Sequence, residues 1–352
     1  MSVITIQSKL RDYKVHFQND VSFIEGFTRF PQRLCVIDEN VWKLHANGCL
    51  TGLADSELII FPVSEERKNL DSVMELYDRL MECSAKKNMT LISFGGGIIQ
   101  DITGFLASTL YRGLNWVFVP TTLLAQADSC IGSKTSLNYK RFKNLIGTFY
   151  PPSEVHIYSP FLKTLDESDY LSGMGEVAKL HLMGGSETIS AFAVNLPALL
   201  NRDDTAILSA IQASLTVKLS FMAGDEFDTG RRNLLNYGHC FGHALETVSN
   251  YAIPHGQAVV VGMLVANRVA VKRGILSAAT AQLFADQFLN LLLDFKLELS
   301  QYSSVELINA MRQDKKRVGD GLVMVMVTEA REMVKADDVT PEEIEMILRS
   351  FL

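Results

Sequence analysis

The segment NLLNYGHCFGHALETVSNYAIPHGQAV, residues 233–259, carries three of the chain's seven histidines, His239, His243 and His255. His239 and His243 are four apart, so a helix puts both imidazoles on one face. This is the spacing of a zinc-protease helix, but Cys240 stands where that chemistry needs a glutamate base. A catalytic divalent metal wants three nitrogen or oxygen donors and an open position. His239 and His255 bracket a predicted helix and the loop after it. The stretch LSGMGEVAKLHL offers Glu176 as a carboxylate, with Lys179 one turn further on the same helix face. Spacing alone leaves two readings open: a metal centre, or histidines satisfied within a core.

A second group is cationic. DSCIGSKTSLNYKRFKNLIGTFYPP, residues 128–152, carries Lys134, Lys140, Arg141, Lys143 and Asn144 among glycines and aromatics. A solvated amphipathic loop would look like this. The apolar run beside Lys134 and Lys143-Asn144 suits buried anion binding better. Arg112 and the run DKKR (314–317) add further cations. A third group is a turn, TLISFGGGIIQDITGFLAS, in which Gly95-Gly96-Gly97 joins a strand to a helix. Glycines there let a phosphate approach the backbone N–H groups of a helix N-terminus. The spacing is not GxGxxG, and a plain tight turn reads the same way. Asp38, closing the run RLCVID, could accept hydrogen bonds from a cofactor ribose or simply cap a helix.

These groups need elements to hold them. RLCVID (33–38), ELIIF (57–61), TLISF (90–94) and NWVFV (115–119) read as buried strands, and LDSVMELYDRLMECSAKK (70–87) as an amphipathic helix. Strands alternating with helices predict a parallel sheet covered on both faces. After EVHIYSP (154–160) the texture changes, and helical stretches dominate while strand signals almost vanish. The sequence therefore predicts an α/β Rossmann-like domain over 1–160 and an all-α domain over 161–352, with the working site in the cleft between them.

Composition narrows the function. At 352 residues and 47% hydrophobic, the chain can form two domains with a large core. A net charge of −7 argues against nucleic acid as a partner. Cations grouped in an acidic chain point instead to a small substrate bearing more than one negative charge. Five scattered cysteines without a CxxC pair read as reduced thiols and a cytoplasmic protein. The charged N-terminus lacks a signal-peptide core, and no apolar run is expected to span a membrane.

Together the segments resemble the 3-dehydroquinate synthase family of sugar-phosphate cyclases. The resemblance runs from VIDENV to DKK. It rests on GGGIIQDITGFLASTLYRG, PTTLLAQADSCIGSKTSLN, KNLIGTFYPP, SGMGEVAK, GDEFDTGRRNLLNYGHCFGHALE and HGQAVVVGM in that order. It implies a dehydroquinate synthase-like fold with NAD and a divalent metal, zinc or cobalt, as cofactors. It makes Glu176, His239 and His255 the metal ligands and sets His243 on the substrate. Lys134, Lys179, Lys218, Arg232 and Asn236 match the reacting pocket, and Asp128, Lys143 and Asn144 its substrate contacts. Arg112 matches an arginine that reaches a neighbouring subunit's phosphate site, which implies a homodimer. Lys315 and Lys316 match a pair of which one closes on substrate. Glu65 and Lys68 match a cofactor-side GExxK, with Ser64 in place of its glycine. Asp38 is the ribose candidate, and Gly95, Gly96, Gly97, Asp101, Thr121 and Thr122 match NAD contacts.

The chain departs from the family pattern at several points. Gln100 replaces the glycine of GGVVGD, Ser133 stands in GSKT for GGKT, and Phe142 in RFKN for LGKN. Ser168 replaces the arginine of TLPxRE, and Gln257 the glutamate of HGE. None removes a metal ligand or a phosphate lysine.

The implied reaction is a ring closure without net oxidation. A seven-carbon sugar phosphate is oxidised by NAD⁺ at a metal-held carbinol, loses phosphate by β-elimination, is re-reduced, opens, and closes as a carbocycle through an intramolecular aldol. Three other readings are kept. One is a cyclase making a valiolone, an inosose or an amino-dehydroquinate analogue. Another is a metal-dependent alcohol or glycerol dehydrogenase, which would need no phosphate pocket. The last is a non-catalytic binding protein of the same fold.

Overall fold

The computed structural model describes residues 2–53, 57–140, 142–312 and 321–351. The chain forms two compact units, residues 1–165 and 166–352.

The first unit is built on a seven-stranded sheet. Its strands are β1 (Val3–Ile6), β2 (Tyr13–Phe17), β3 (Arg33–Asp38), β4 (Glu57–Phe61), β5 (Thr90–Gly95), β6 (Asn115–Pro120) and, after a separate hairpin of β7 (Lys134–Tyr139) and β8 (Phe142–Phe149), β9 (Glu154–Ile157). The sheet order is β1-β2-β9-β6-β5-β3-β4. All pairings are parallel except β1–β2 at one edge. The four strands expected from sequence are β3 to β6. Their near-continuous apolar runs are what a sheet covered on both faces requires. Alternation sorts the side chains. Cys35, Ile37, Ile92, Phe94, Val117 and Val119 share one buried cluster with Phe23, Phe27, Leu50 and Phe161. Leu34, Val36, Leu91, Trp116 and Phe118, also buried, point the other way. The helix α4 (Gly97–Thr109) packs on β3, β5 and β6, with α3 (Leu70–Glu82) against α4. The short helices α1 (Ser22–Glu25) and α2 (Glu39–His45) complete the unit.

Three local expectations need correcting. The helix expected over 70–87 stops at Glu82, because Ser84 takes a left-handed conformation (φ 52°) and breaks the hydrogen-bond ladder. The supposed cationic loop is the β7–β8 hairpin. The domain change near 160 falls at 165/166, because the turn Ser159–Thr164 buries Phe161 and Leu162 and Thr164 meets His45 Nε2 at 3.0 Å, which ties the turn to the first unit.

The second unit contains α5 (Glu167–Met183), α6 (Ser186–Leu200), α7 (Asp204–Met222), α8 (His239–Val248), α9 (His255–Lys272), α10 (Ala278–Gln287), α11 (Ser304–Arg312) and α12 (Pro341–Arg349). It is not all-α: β10 (Leu322–Val327) and β11 (Met333–Val339) form an antiparallel hairpin. LVMVMV is too short for a helix signal, and Met324, Val325, Met326 and Val327 are buried in a strand that packs beside α9. Among the described residues α7 is long and apolar enough by length and composition to cross a membrane, and more than half of that stretch is buried inside the fold.

The central helix α9 packs on both α8 and α5 at unusually short range. A Cβ on Gly262 would collide with the Gly238 carbonyl oxygen, and one on Gly256 with that of Ser172. Gly256 N–H also donates to Ser172 Oγ at 2.9 Å. Backbone cannot yield as a side chain can, so Gly256→Ala should destabilise by about 1–3 kcal/mol or more. Because His255 is the neighbouring residue, the variant should also bind metal ions less well, as thermal melts and metal titration would show.

Candidate functional site

In the first unit the cofactor candidates gather at the carboxyl ends of β3, β5 and β6. The chain runs from β3 to β4 on one side and returns to β5 on the other, so the sheet order reverses between β3 and β5. A crevice at such a reversal is where open α/β sheets take their ligands. Asp38 ends β3 and Gly95 ends β5. A Cβ on Gly95, which sits at φ +152°, would come within 3.1 Å of Asp38 Cβ and foul Ile99. Gly96 caps α4, and a Cβ there would meet Thr122 Cγ2 at 2.9 Å, while Thr121 N–H donates to the Gly95 carbonyl at 2.9 Å. Asp38, Gly95, Gly96, Gly97, Thr121 and Thr122 therefore lie together at the strand ends, beside the first N–H groups of a thirteen-residue helix. Asp38 also does what its alternative reading required, accepting from Asn40 N–H at 2.8 Å as the cap of α2. Burial raises its carboxyl pKa against that hydrogen bond.

A polar network ties the hairpin to α4. Lys68 Nζ lies 2.5 Å from Asp101 Oδ2 and 2.6 Å from Asn144 Oδ1. Ser136 donates to Asp101 from both its N–H and its hydroxyl at 3.0 Å. Asn138 donates to Glu65 Oε1 at 2.8 Å, and Lys143 sits 3.5 Å from the same oxygen. Glu65, Lys68, Asp101, Lys143 and Asn144 are thus brought together by Ser136 and Asn138, which sequence reasoning missed. Their only signal was strand alternation, visible once β7 is read as a strand. The expectation that this cation group is buried fails: Lys134 and Asn144 are exposed within the chain and Lys143 is half-buried. A two-stranded ribbon has one face for packing and one for water, and Lys134 is on the second. Ser133, where the family has glycine, sits in the left-handed region at φ 62°.

Gln100 and Ser129 hold each other, Oγ to Oε1 at 2.6 Å and Nε2 to the Ser129 carbonyl at 2.7 Å, beside Asp128 on a π-helical turn, Ala125–Ser129. Arg112 is exposed between Tyr111 (φ 52°) and Gly113 (φ 124°), itself at φ 62°. The Tyr111 hydroxyl on the Ala85 carbonyl (2.9 Å) and that of Tyr150 on the Leu114 carbonyl (2.8 Å) hold this strained turn. Lys315 and Lys316 lie outside the described residues.

In the second unit the histidines are brought together. His239 and His255 are the first residues of α8 and α9, and Glu176 sits within α5. Glu176 Oε1 is 3.3 Å from His255 Nε2 and 3.6 Å from His239 Nε2, with the carboxylate 2% exposed. Lys179, 3% exposed, pairs with Glu176 Oε2 as its helical spacing predicts. His239, His243 and His255 each offer a nitrogen, and these atoms lie within 4.8 Å of one another. Nitrogen and oxygen donors facing a common point, two of them neutral imidazoles once deprotonated, fit a divalent metal of the zinc or cobalt kind. The electrostatics agree. Burial drives the His239 pKa well below its usual value, helped by Lys179. Burial opposes charge on His255 too, but Glu246 and Glu176 outweigh it and push its pKa up. Facing carboxylates demand a cation there, which a proton or a metal can supply.

The remaining candidates surround helices and one loop. Lys218 on α7 and Arg232 are buried, which is rare for such side chains outside functional or paired settings. Arg232 is pinned from behind: its N–H donates to Asp225 Oδ2 at 2.8 Å, and its guanidinium donates to the Glu226 carbonyl. Asp225 also accepts from Thr229 and Gly230 N–H groups at 2.8 Å. Desolvation works against its charge, yet these donors hold the Asp225 pKa down at about 2. A folded-state pKa below the unfolded one adds stability above about pH 4 that is lost as pH falls toward 2. Asp225→Ala should therefore cost about 1–2 kcal/mol at neutral pH, as a lost cap does, and less at pH 2. Denaturant melts at the two pH values would check this. Asn236 donates to the Asn233 carbonyl at 2.6 Å. The departures Ser168 and Gln257 turn out to be one contact: Gln257 Nε2 meets Ser168 Oγ at 3.3 Å, a neutral pair where the family pattern has arginine and glutamate.

Two bodies of comparison bear on this arrangement. The structure superposes on sugar-phosphate cyclases. With 2-epi-5-epi-valiolone synthase from Streptomyces hygroscopicus subsp. jinggangensis, solved with NAD⁺ and Zn²⁺ bound, the TM-score is 0.88 at 25% identity over 99% of this chain and 98% of that one. With a 2-deoxy-scyllo-inosose synthase complexed with carbaglucose-6-phosphate, NAD⁺ and Co²⁺, it is 0.89 at 22% identity over the whole of both chains, a likeness of fold. The fold is thus that of the cyclases. The family models for the 3-dehydroquinate synthase N-terminal and C-terminal regions match residues 58–172 and 173–317. The 3-dehydroquinate synthase of Campylobacter concisus is 34% identical over 99% of each chain. This chain belongs to the 3-dehydroquinate synthase family.

Proposed function

We propose that the chain is a 3-dehydroquinate synthase, a phosphate-eliminating carbon–oxygen lyase that closes a 3-deoxy-heptulosonate 7-phosphate into 3-dehydroquinate. The observation that carries the reading is the buried Glu176 carboxylate facing half-buried His239 and His255 beside Lys179, in the same unit as the buried cations Lys218 and Arg232. The name is that of relatives similar over nearly their whole length.

In this reading Glu176, His239 and His255 hold a zinc or cobalt ion, and Asp38, Glu65, Lys68, Gly95, Gly96, Gly97, Asp101, Thr121 and Thr122 receive NAD. When bound, the metal supplies a Lewis acid for substrate oxygens, and NAD accepts a hydride and later returns it. The chain's own groups do the rest. Lys179 offsets the Glu176 charge and can donate a proton from Nζ to a forming alkoxide. His243, whose imidazole packs against those of His239 and His255, moves a proton to or from substrate. Arg232 grips the substrate carboxylate with two parallel N–H bonds, and Lys218 and Asn236 hold neighbouring oxygens. Asp128, Lys134, Lys143 and Asn144 match substrate contacts of the family, as does one of Lys315 and Lys316. Arg112, exposed on its fixed turn, serves the phosphate site of a second copy in a homodimer. Five free cysteines suit a cytoplasmic setting. The substrate is an anionic sugar phosphate, with no role for nucleic acid or membrane.

Incubation with NAD⁺, Zn²⁺ or Co²⁺ and a panel of seven-carbon sugar phosphates tests the reaction class. Phosphate should be released with no net rise at the NADH absorbance band. NADH accumulating in step with product would instead indicate a dehydrogenase. The departures at Gln100, Ser133, Phe142, Ser168 and Gln257, with the close match to a valiolone synthase, support a second reading. In it the chain closes a sugar phosphate that lacks a carboxylate to a valiolone or an inosose, or an amino-substituted heptulosonate phosphate to an amino-dehydroquinate type of product.

A further inference from the structure

Glu246 has no part in the reading above, yet it sits behind the metal candidates. It lies seven residues after His239 and three after His243, so positions i, i+4 and i+7 place all three on one face of α8. It is 2% exposed. Its Oε2 is 3.1 Å from His255 Nδ1, while His255 Nε2 is the nitrogen that faces Glu176. His239 is supported differently: its Nδ1 lies 3.1 Å from the carbonyl oxygen of Tyr237, two residues away. Both rings therefore use Nδ1 to bind their own chain and present Nε2 to the common point. One is backed by a neutral carbonyl, the other by a buried carboxylate.

We propose that Glu246 is a positioning residue that fixes His255 as its Nδ1–H tautomer and makes Nε2 a stronger donor to a divalent cation. The inference rests on the metal reading of Glu176, His239 and His255. An acceptor-only carboxylate at Nδ1 requires a proton on that nitrogen, which leaves the Nε2 lone pair for a cation. The hydrogen bond also fixes the ring plane, and the carboxylate's charge increases the basicity of the far nitrogen. A carbonyl, as at His239, orients without adding charge, so the two histidines are unequal ligands and His255 is the one tuned by the fold.

The test uses the full chain. Zn²⁺ and Co²⁺ dissociation constants are measured by competition with a chromophoric chelator for wild type, Glu246→Gln, Glu246→Asp and His255→Ala. Far-UV circular dichroism follows the fold. Glu246→Gln should weaken metal binding by about 10–100-fold with the fold intact, and Glu246→Asp should recover most of the loss. The Co²⁺ visible bands should shift in Glu246→Gln, a change that simple loosening of the helix would not cause. In Zn²⁺-loaded wild type, ¹⁵N spectra of histidine-labelled protein, assigned with His255→Ala, should show His255 protonated at Nδ1 and bare of a proton at Nε2, a readout that needs no Glu246 variant to fold. Wild-type affinity in Glu246→Gln beside metal loss in His255→Ala would overturn the inference while leaving the metal centre standing, as would an Nε2–H tautomer. Undiminished affinity in His255→Ala would overturn the metal reading itself.

Discussion

His239→Ala should abolish retention of a divalent metal and with it turnover, whereas His243→Ala should keep the metal and lose turnover. The distinction is a demanding one, because the ligand nitrogens of both, together with His255, lie within 4.8 Å of one another. A three-histidine site would use all of them. What separates the two is the carboxylate: Glu176 Oε1 lies within 3.6 Å of Nε2 on His239 and within 3.3 Å on His255. A buried carboxylate beside two imidazoles is a charge-matched donor set for a dication, and it leaves His243 for substrate. Metal content by elemental analysis after dialysis, paired with phosphate release, separates the outcomes. Loss of the ion from His243→Ala would replace the Glu176–His239–His255 assignment with a histidine triad.

Arg232→Ala should lower kcat/KM for a carboxylate-bearing heptulosonate phosphate by roughly one and a half to three and a half decades. The range corresponds to about 2–5 kcal/mol for stranding one partner of a desolvated charge pair. Arg232 is suited to this task, being almost wholly buried and held by Asp225 and the Glu226 carbonyl. Arg232→Lys should fall in the same range, since an ammonium cannot reproduce two parallel hydrogen bonds. A neutral heptulose phosphate has no carboxylate to strand, so its turnover should be far less sensitive. Steady-state kinetics with both substrates on wild type and variant decide the matter. Preference of the wild type for the neutral sugar, with little effect of the substitution, would favour the valiolone or inosose type of cyclase.

Much of this was legible in the residues before any coordinates. Four strands, the helix-rich second half and the glycine turn at a strand end came from local pattern, and the ligand roles proposed for Glu176, His239 and His255 from the family resemblance. Local signals suffice there because period-2 and period-3.6 patterning, glycine and ligand chemistry act over a few residues. The LVMVMV strand was missed because a six-residue apolar run carries no period of its own. The hairpin at 134–149 was missed because its charges masked an alternation that only pairing makes visible. Glu246 could have been found from its i+7 spacing, but nothing local says that α9 would bring His255 to it.

What the sequence by itself determined is chemistry: which side chains can ligate a divalent ion, bind phosphate or carboxylate, and end a strand in a backbone anion site. What only the tertiary structure decided is which of them meet. Glu176, His239 and His255 come from three helices, and Gly256 and Gly262 let those backbones approach closely enough for the three side chains to share one point. Likewise Asp38, Gly95 and Thr122 become neighbours only through the crossover order of the sheet. Residues far apart in the chain are joined by packing and strand order, which no window of sequence contains, so the chemistry available was readable and the meeting of its groups was not.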